Sequence, residues 1–289
     1  MILQTAHRKR AKIKMQLAGP SGSGKSYSSL LIAYGICIDW TKVAVIDTEN
    51  HSAELYSHLG EYNVLNLEAP FTPEKYIEAI TICEKAGMEV IIIDSMTHAW
   101  ENLLEYHSSL QGNSFTNWAK ITPRHNDFIQ RMLQSRCHVI ATVRTKQDYV
   151  LNEINGKKVP EKVGLKSIQR PELEYEYTLV FDLDIKNHAN ASKDRTGLFF
   201  GKPEQKLKIE TGKQIRAWCD SGVEVSVDDI SIRIGDCRTI KELLDLYQNY
   251  PQFKEALQTE FEQKKRSILI NQEVTIQLNN QKINENGTA

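Results

Sequence analysis

Eight consecutive residues, Gly19-Pro20-Ser21-Gly22-Ser23-Gly24-Lys25-Ser26, have the residue types and spacing of a phosphate-binding loop. They follow an apolar run from Ile13 to Ala18 and precede a helical pattern from Tyr27 to Cys37. Glycines let successive backbone N–H groups turn towards phosphate oxygens, and the start of the helix adds the positive end of its dipole. We therefore predict that these residues, together with Tyr27, bind the phosphates of ATP.

Two side chains of this loop have individual chemistry. Lys25 is placed to reach the β- and γ-phosphates and to assist catalysis, and the Ser26 hydroxyl is placed to ligate Mg²⁺. Nucleotide kinases and transporter ATPases carry similar loops, so the loop by itself leaves the reaction open.

Carboxylates follow two apolar runs. Asp94 ends the run that begins at Val90, and we predict that it holds Mg²⁺ together with Ser26. The next residue is Ser95, so a water-activating base must come from elsewhere. Glu49 follows the apolar run 43–47 and is our candidate base, which would orient water in line with the γ-phosphate. The alternative for Glu49 is a charge at the start of a helix.

The elements that must position these residues alternate along the chain. Apolar strands are predicted at 43–47, 90–95 and 138–143, with helices at 73–86 and 127–134. This order predicts an α/β fold with a central, mostly parallel sheet flanked by helices. Ligands of such sheets bind at the carboxyl ends of the strands, where we also expect Thr142 to contact the nucleotide and Arg144 to lie nearby.

The pattern changes after the last of these strands. Residues 147–171 lack sustained periodicity and predict an irregular loop, after which strands are predicted at 177–184, 197–200 and 206–209. A capping box at Thr239 to Glu242 predicts a helix to about Tyr250, followed by a helix with Phe253, Leu257 and Phe261 on one face. We therefore expect a core over 1–225, a small helical C-terminal module over 226–270 and a disordered tail over 271–289.

Composition narrows the class of protein. The net charge of −1 gives no global sign of nucleic-acid binding, which would have to come from a local patch. The five cysteines are scattered without a C-x-x-C pair, which argues against a disulfide framework or a cysteine-based zinc site. No apolar run approaches the roughly 18 residues of a membrane span. We expect a cytoplasmic protein with no membrane partner.

Three segments together carry a family resemblance. IDTEN at 46–50, IIIDS at 91–95 and SKDRTGLF at 192–199 resemble the RecA/RadA/DnaB-type ATPase core. The resemblance implies that Lys193 and Arg195 reach the γ-phosphate of a neighbouring subunit and neutralise charge there. Asp194 departs from the family, where Asn is common. The alternative for this segment is a charged β-turn.

A finer resemblance concerns DSMTHAW at 94–100 and ATVRTKQDY at 141–149. These segments resemble bacteriophage-type, core-only recombination ATPases grouped with single-strand annealing proteins. The resemblance implies a ring or filament of identical subunits, ATP hydrolysis at subunit interfaces, single-stranded DNA as a partner and a single-strand DNA-binding protein as another. It also implies a bacterial cell or a phage-infected host. A helicase or helicase-loading motor, and a DNA-independent nucleotide switch acting on a protein partner, remain as alternatives.

In that family two loops hold DNA, and by position they would be residues 107–120 and 145–170. The first contains Phe115 and Trp118, which are suited to base stacking, although Trp118 could instead belong to the core. The stretch 144–170 has seven basic and three acidic residues, which suits phosphate contacts but also a solvated loop. Its candidate DNA-binding residues are Lys157, Lys158, Lys162, Lys166 and Arg170.

Overall fold

The computed structural model describes residues 8–154, 157–223 and 226–271. The chain forms two compact units, one of Ala11–Ser221 and the other of Met1–Arg10 with Gly222–Ala289. Nearly all of the predicted disordered tail lies outside the described residues. Within the described residues, no helix combines the length and apolar character needed to cross a membrane.

The larger unit is built on a central sheet with the strand order β3-β2-β4-β5-β1-β7-β8. All neighbours along this order pair in parallel except β7 and β8, which are antiparallel. The predicted α/β fold with a mostly parallel central sheet is confirmed. The strands are β1 (Lys14–Gly19), β2 (Val43–Asp47), β3 (Asn63–Asn66), β4 (Val90–Asp94), β5 (His138–Ile154), β6 (Lys157–Ser167), β7 (Leu179–Leu183) and β8 (Ala189–Asp194).

Helices cover both faces of this sheet, because the inner strands carry apolar side chains on both sides. Alternate residues of β2 enter opposite clusters: Val43 and Val45 face one side, and Ala44 and Ile46 face the other. The first cluster includes residues of α1 (Lys25–Cys37) and α5 (Ile209–Asp220), and the second includes residues of α2 (Pro73–Lys85), α3 (Thr97–Ser109) and α4 (Ser114–Leu133).

The sequence-based prediction missed α5, and its close contact with α1 explains why. A Cβ added at Gly212 would lie 2.2 Å from the carbonyl oxygen of Ile32, and one at Gly35 would lie 2.1 Å from that of Ile209. Glycine is unfavourable inside a helix when local preference alone decides. Here it lets two helix backbones meet, so packing between the helices outweighs the local preference.

The predicted irregular loop at 147–171 is wrong over most of its length. Strands β5 and β6 pair as an antiparallel hairpin from Thr145 opposite Ser167 to Ile154 opposite Lys157, with a bulge at Asp148/Tyr149. Backbone groups form this ladder, so it needs no apolar periodicity that a sequence pattern would reveal.

Two predicted strands are also wrong. Residues 197–200 form a turn, and Ile209 begins α5, while the strand that pairs with β7 lies earlier, at Ala189–Asp194. The turn forms because the Asp194 carboxylate accepts hydrogen bonds from backbone N–H groups of Thr196, Gly197, Phe199 and Phe200.

The region between β4 and β5 is more helical than predicted. Helix α4 begins at Ser114, with Pro123 inside it, whereas the sequence pattern placed its start near 127. The predicted DNA-binding loop at 107–120 is therefore mostly the end of α3 and the start of α4. The helix extends further because Asn113 caps its N-terminus by accepting from the Phe115 N–H at 2.8 Å.

The smaller unit contains three helices in its described part: α6 (Val227–Asp236), α7 (Ile240–Asn249) and α8 over 258–271. The predicted capping box is present, since Thr239 Oγ1 accepts from the Glu242 N–H at 3.2 Å. Leu257 and Phe261 are buried in its apolar cluster, whereas Phe253 lies in a short 3₁₀ turn before α8.

Candidate nucleotide site

A cavity of about 510 Å³ lies at the carboxyl edge of the parallel strands of the larger unit. Its wall includes Lys25, Ser26, Glu49 and Asp94, which the sequence analysis assigned to phosphate, metal and water. Register explains their approach, because β2 and β4 pair with Asp47 opposite Asp94. The cavity is lined by Ser21, Gly22, Gly24, Lys25, Ser26, Glu49, Ser52, Tyr56, Asp94, Arg144, Thr145 and Ile168.

The loop between β1 and α1 has the backbone shape of a phosphate cradle. Gly22 and Gly24 have φ angles of 78° and 79°, which residues with a Cβ rarely adopt. The Lys25 ammonium donates hydrogen bonds to the carbonyl oxygens of Gly19 and Pro20, each at 2.9 Å. Burial lowers the pKa of Lys25, while Asp94 and Glu49 oppose that effect. The ammonium group therefore lies beside the cradle, held by carbonyls that an anion can replace.

Asp94 is 3% exposed and accepts two hydrogen bonds from hydroxyl groups. Ser26 Oγ donates to Oδ2 at 2.5 Å and Thr142 Oγ1 donates to Oδ1 at 2.5 Å. Burial raises the pKa of Asp94, against the effect of these hydrogen bonds. A nearby cation would compensate the buried negative charge.

The residues present fit Mg²⁺, which prefers oxygen ligands and is usually bound by one or two carboxylates, water and substrate phosphates. Asp94 and Ser26 supply adjacent oxygen atoms at the edge of the phosphate cradle. Among the described residues there is no group of three or more His, Cys, Asp or Glu side chains able to hold a metal. The remaining ligands would therefore come from phosphate and water.

Glu49 lies on the same rim and is held by a guanidinium group. Arg144 Nε donates to Glu49 Oε1 at 2.9 Å, and Arg144 Nη2 donates to Oε2. His98 Nε2 lies 4.0 Å from Oε1, and its ring is fixed by a 2.8 Å contact with Thr48 Oγ1. Partial burial favours the neutral acid, but Arg144 outweighs it and holds the pKa of Glu49 below its ordinary value. The carboxylate is therefore ionised and paired.

Residues 11–217 match the AAA domain family. The chain belongs to the AAA domain family. Together with the cradle and the parallel sheet, membership supports nucleotide binding and ATPase activity in general. No curated protein matches the chain.

Five residues of the AAA domain line the cavity although the sequence predicted no role for them, namely Ser52, Tyr56, Arg144, Thr145 and Ile168. Arg144 was placed on the correct edge, but its partner Glu49 was not foreseen. Tyr56 and Ser52 belong to a 3₁₀ segment that carries no recognisable motif, and Thr145 follows Arg144. The exposed ring of Tyr27 lies edge-on to Tyr56, with centroids 5.9 Å apart, so both aromatic rings lie beside the cradle.

Lys193 and Arg195 do not line this cavity of the AAA domain. Lys193 Nζ donates to the carbonyl oxygens of Glu174 and Tyr175 at 2.8 and 2.5 Å, and Arg195 Nη2 donates to that of Tyr175 at 3.1 Å. Lys193 instead lines a second cavity of about 530 Å³, together with Arg170. A role in the subunit's own nucleotide site is therefore not supported, and a role in a neighbour's site stays a prediction.

The candidate DNA-binding residues fall in three places. Phe115 is 87% exposed near the start of α4. Trp118 lies in α4 and stacks on His107 and Trp100, with ring centroids 4.3 and 6.1 Å away. It therefore belongs to a small aromatic cluster. The basic candidates lie on or just after β6, namely Lys157, Lys158, Lys162, Lys166 and Arg170.

Proposed function

We propose that the protein is a Mg²⁺-dependent ATPase that acts on single-stranded DNA in recombination, resembling the RecA/RadA type. The observation that carries the ATPase part is one cavity that combines the phosphate cradle, Lys25, the Asp94–Ser26 pair and Glu49. The protein would act in the cytoplasm. It would consist of an ATPase core (1–225), a helical module (226–270) and a tail (271–289).

Each residue of the cavity has a defined task. The backbone N–H groups of the cradle bind phosphate oxygens, and Lys25 exchanges its carbonyl partners for the β- and γ-phosphates. Asp94 and Ser26 hold Mg²⁺, which neutralises phosphate charge when bound. Glu49 accepts a proton from the attacking water, and Thr142 orients Asp94 through its hydrogen bond.

Hydrolysis at subunit interfaces is supported by the positions of Lys193 and Arg195. Both cationic groups lie outside the subunit's own nucleotide cavity, where their partners are backbone carbonyl oxygens. Carbonyl oxygens bind a cation less strongly than phosphate does, so a neighbouring γ-phosphate can compete for these groups. We propose a ring or filament in which each subunit supplies this pair to the next.

The DNA part of the proposal is supported by the β5–β6 hairpin. Its base contains Thr145, and Ile168 follows it immediately; both residues line the nucleotide cavity. The surrounding stretch 144–170 has seven basic and three acidic residues, which favours a phosphate backbone. A hairpin that starts at the nucleotide site provides a short route by which DNA binding can affect hydrolysis. A single-strand DNA-binding protein is the proposed further partner.

The test is phosphate release by the purified full chain with and without single-stranded DNA. The proposal expects turnover that DNA stimulates, ATP binding without turnover in Glu49→Gln, and loss of turnover in Arg195→Ala. Mixing these two variants should restore part of the activity, because Arg195 from one subunit completes a site with Glu49 from the other. Normal turnover in Glu49→Gln would refute the base assignment, and no rescue on mixing would refute catalysis across an interface.

A strand-displacement assay on the same purified protein distinguishes a recombination ATPase from a helicase of the same type. A helicase would displace a strand from forked DNA in one direction only, and a recombination ATPase would bind single strands without such displacement. Directional unwinding would therefore replace our proposal with the helicase alternative.

A second candidate function is a nucleotide switch that acts on a protein partner. The observation that favours it is an apolar cavity of about 190 Å³ in the helical module, lined by Leu243, Leu244, Tyr247 and Phe261 among others. Leu244 is 50% exposed at this cavity, so part of the apolar lining is accessible to a partner. ATPase activity that DNA does not change, with no retention of DNA, would favour this function.

A further inference from the structure

The contact between Arg144 and Glu49 places opposite charges in the nucleotide cavity where the proposed reaction needs a free carboxylate. Two parallel N–H···O hydrogen bonds join the guanidinium to the carboxylate. Such fork-like pairing is among the strongest side-chain contacts and occupies both carboxylate oxygens. In this arrangement the guanidinium takes one lone-pair site on each Glu49 oxygen and stabilises the ionised form, which makes the carboxylate a weaker base towards water.

The backbone of Arg144 is held by two hydrogen bonds, whereas its side chain is partly exposed. Its N–H donates to Thr97 Oγ1 at 3.0 Å, and its carbonyl oxygen accepts from the Ile168 N–H at 2.8 Å. The side chain is 41% exposed and lines the cavity, whereas that of Glu49 is 22% exposed. A change of partner therefore requires rotation of the arginine side chain, without movement of the strand.

A γ-phosphate is a strong competitor for this guanidinium. It offers oxygens with a spacing similar to that of a carboxylate and carries more negative charge, and arginine binds both groups with the same fork of N–H donors. The carboxylates of Glu49, Glu101 and Asp94 attract the Arg144 guanidinium. The Lys25 ammonium, which lines the same cavity, repels it. Phosphate bound in the cradle would add negative charge to the cavity that Arg144 also lines.

We infer that Arg144 is a positioning residue that pairs with Glu49 until ATP arrives, then transfers its guanidinium to the γ-phosphate and releases Glu49 for water. This inference rests on the proposed ATPase function. ADP lacks the third phosphate and leaves the pair intact. Arg144 thereby makes the base available only when the hydrolysable phosphate is present.

Comparison of ATP-like and ADP binding tests this step directly. The quantity is the ratio of the Kd for ADP to the Kd for a non-hydrolysable ATP analogue, measured by calorimetry with Mg²⁺ on the full chain. Glu49→Gln weakens the pair and frees Arg144, so the ratio should rise about tenfold. Arg144→Gln should lower it by a similar factor, and Arg144→Lys, which keeps the charge without the fork, should give an intermediate value.

The double variant Glu49→Gln/Arg144→Gln distinguishes coupling from two separate effects. With Arg144 absent, Glu49→Gln should leave the ratio within about twofold of the Arg144→Gln value. Additive effects, or an unchanged ratio in both single variants, would overturn the inference and make Arg144 a static brace of Glu49.

The chain provides a matched control pair. Arg124 and Glu74 form the same forked contact between α4 and α2, with distances of 2.7 and 2.8 Å, outside the nucleotide cavity. Arg124→Gln and Glu74→Gln should leave the ratio unchanged. Failure of the wild-type chain to bind either nucleotide would refute the proposed function itself, whereas binding without coupling would refute only the role of Arg144.

Discussion

The turn after β8 allows the contribution of a single carboxylate to protein stability to be tested, because Asp194 accepts most of the hydrogen bonds of the turn. Asp194 Oδ1 accepts from the N–H groups of Thr196 and Gly197 at 2.7 and 3.1 Å, and from Thr196 Oγ1 at 2.5 Å. Oδ2 accepts from the N–H groups of Phe199 and Phe200 at 2.7 and 3.0 Å. Asparagine at this position would lack the second acceptor oxygen.

These hydrogen bonds determine how much the free energy of unfolding should fall when Asp194 is replaced. A hydrogen bond to a charged group contributes about 1.5–3 kcal/mol when shielded, and less where water can replace the acceptor. Since the turn is partly exposed, we expect Asp194→Ala to lower the free energy of unfolding by about 2–4 kcal/mol. Asp194→Asn should cost about 1–2 kcal/mol, because its amide group would face N–H donors.

The pH dependence has a definite sign. Partial burial favours the neutral acid, but the hydrogen bonds from Thr196 and the turn amides outweigh it and hold the pKa of Asp194 below its ordinary value. A carboxyl with a lowered pKa stabilises the folded state above its unfolded value of about 3.9, and this contribution is lost as the pH falls through the folded pKa. The difference between wild type and Asp194→Asn should therefore be full near neutral pH and shrink in acid.

Urea unfolding followed by tryptophan fluorescence measures these differences. Asp184 is the matched control, since in the preceding turn it accepts from two backbone N–H groups, those of Lys186 and His188, each at 2.8 Å, and lies 3.8 Å from the His188 ring. Asp184→Ala should cost less than Asp194→Ala. Equal costs, or an Asp194→Ala protein as stable as wild type, would refute the assignment of Asp194 as the organiser of the turn.

Three further predictions concern other parts of the molecule. Gly212→Ala should lower the free energy of unfolding by about 1–3 kcal/mol, measured in urea, because its Cβ would lie 2.2 Å from the Ile32 carbonyl oxygen. Burial raises the pKa of Asp94, so its charge destabilises the nucleotide-free protein as pH rises above about 3.9. The Asp94→Asn protein should therefore melt at a higher temperature than wild type near pH 7, and the difference should be smaller near pH 4. Mg²⁺ and ATP should no longer stabilise this variant. An increase in melting temperature that does not depend on pH would contradict the prediction. Lys157→Ala combined with Lys158→Ala should reduce the salt dependence of single-strand DNA binding by roughly 1.4 in log–log slope, and an unchanged slope would exclude these lysines from the DNA site.

Each wrong prediction has a physical reason that can be read from the structure. The β5–β6 hairpin is held by backbone hydrogen bonds, which any side chain permits. The turn after β8 is held by one carboxylate, that of Asp194, which accepts from four backbone N–H groups. Neither arrangement leaves a periodic pattern in the sequence. Helix α5 was missed because Gly212 is unfavourable in an isolated helix and favourable where two helices touch. The apolar strands were predicted well because buried β-strands require continuous apolar runs.

The sequence by itself determined the phosphate cradle, because its chemistry is contained in eight consecutive residues and depends on local backbone freedom. It also placed Glu49 and Asp94 on one edge, since the carboxyl ends of parallel strands meet there. Only the tertiary structure decided which groups touch. The strand order β2-β4-β5-β1 brings Arg144 to Glu49 and Thr142 to Asp94, and strand order is a property of the whole sheet that no single segment encodes.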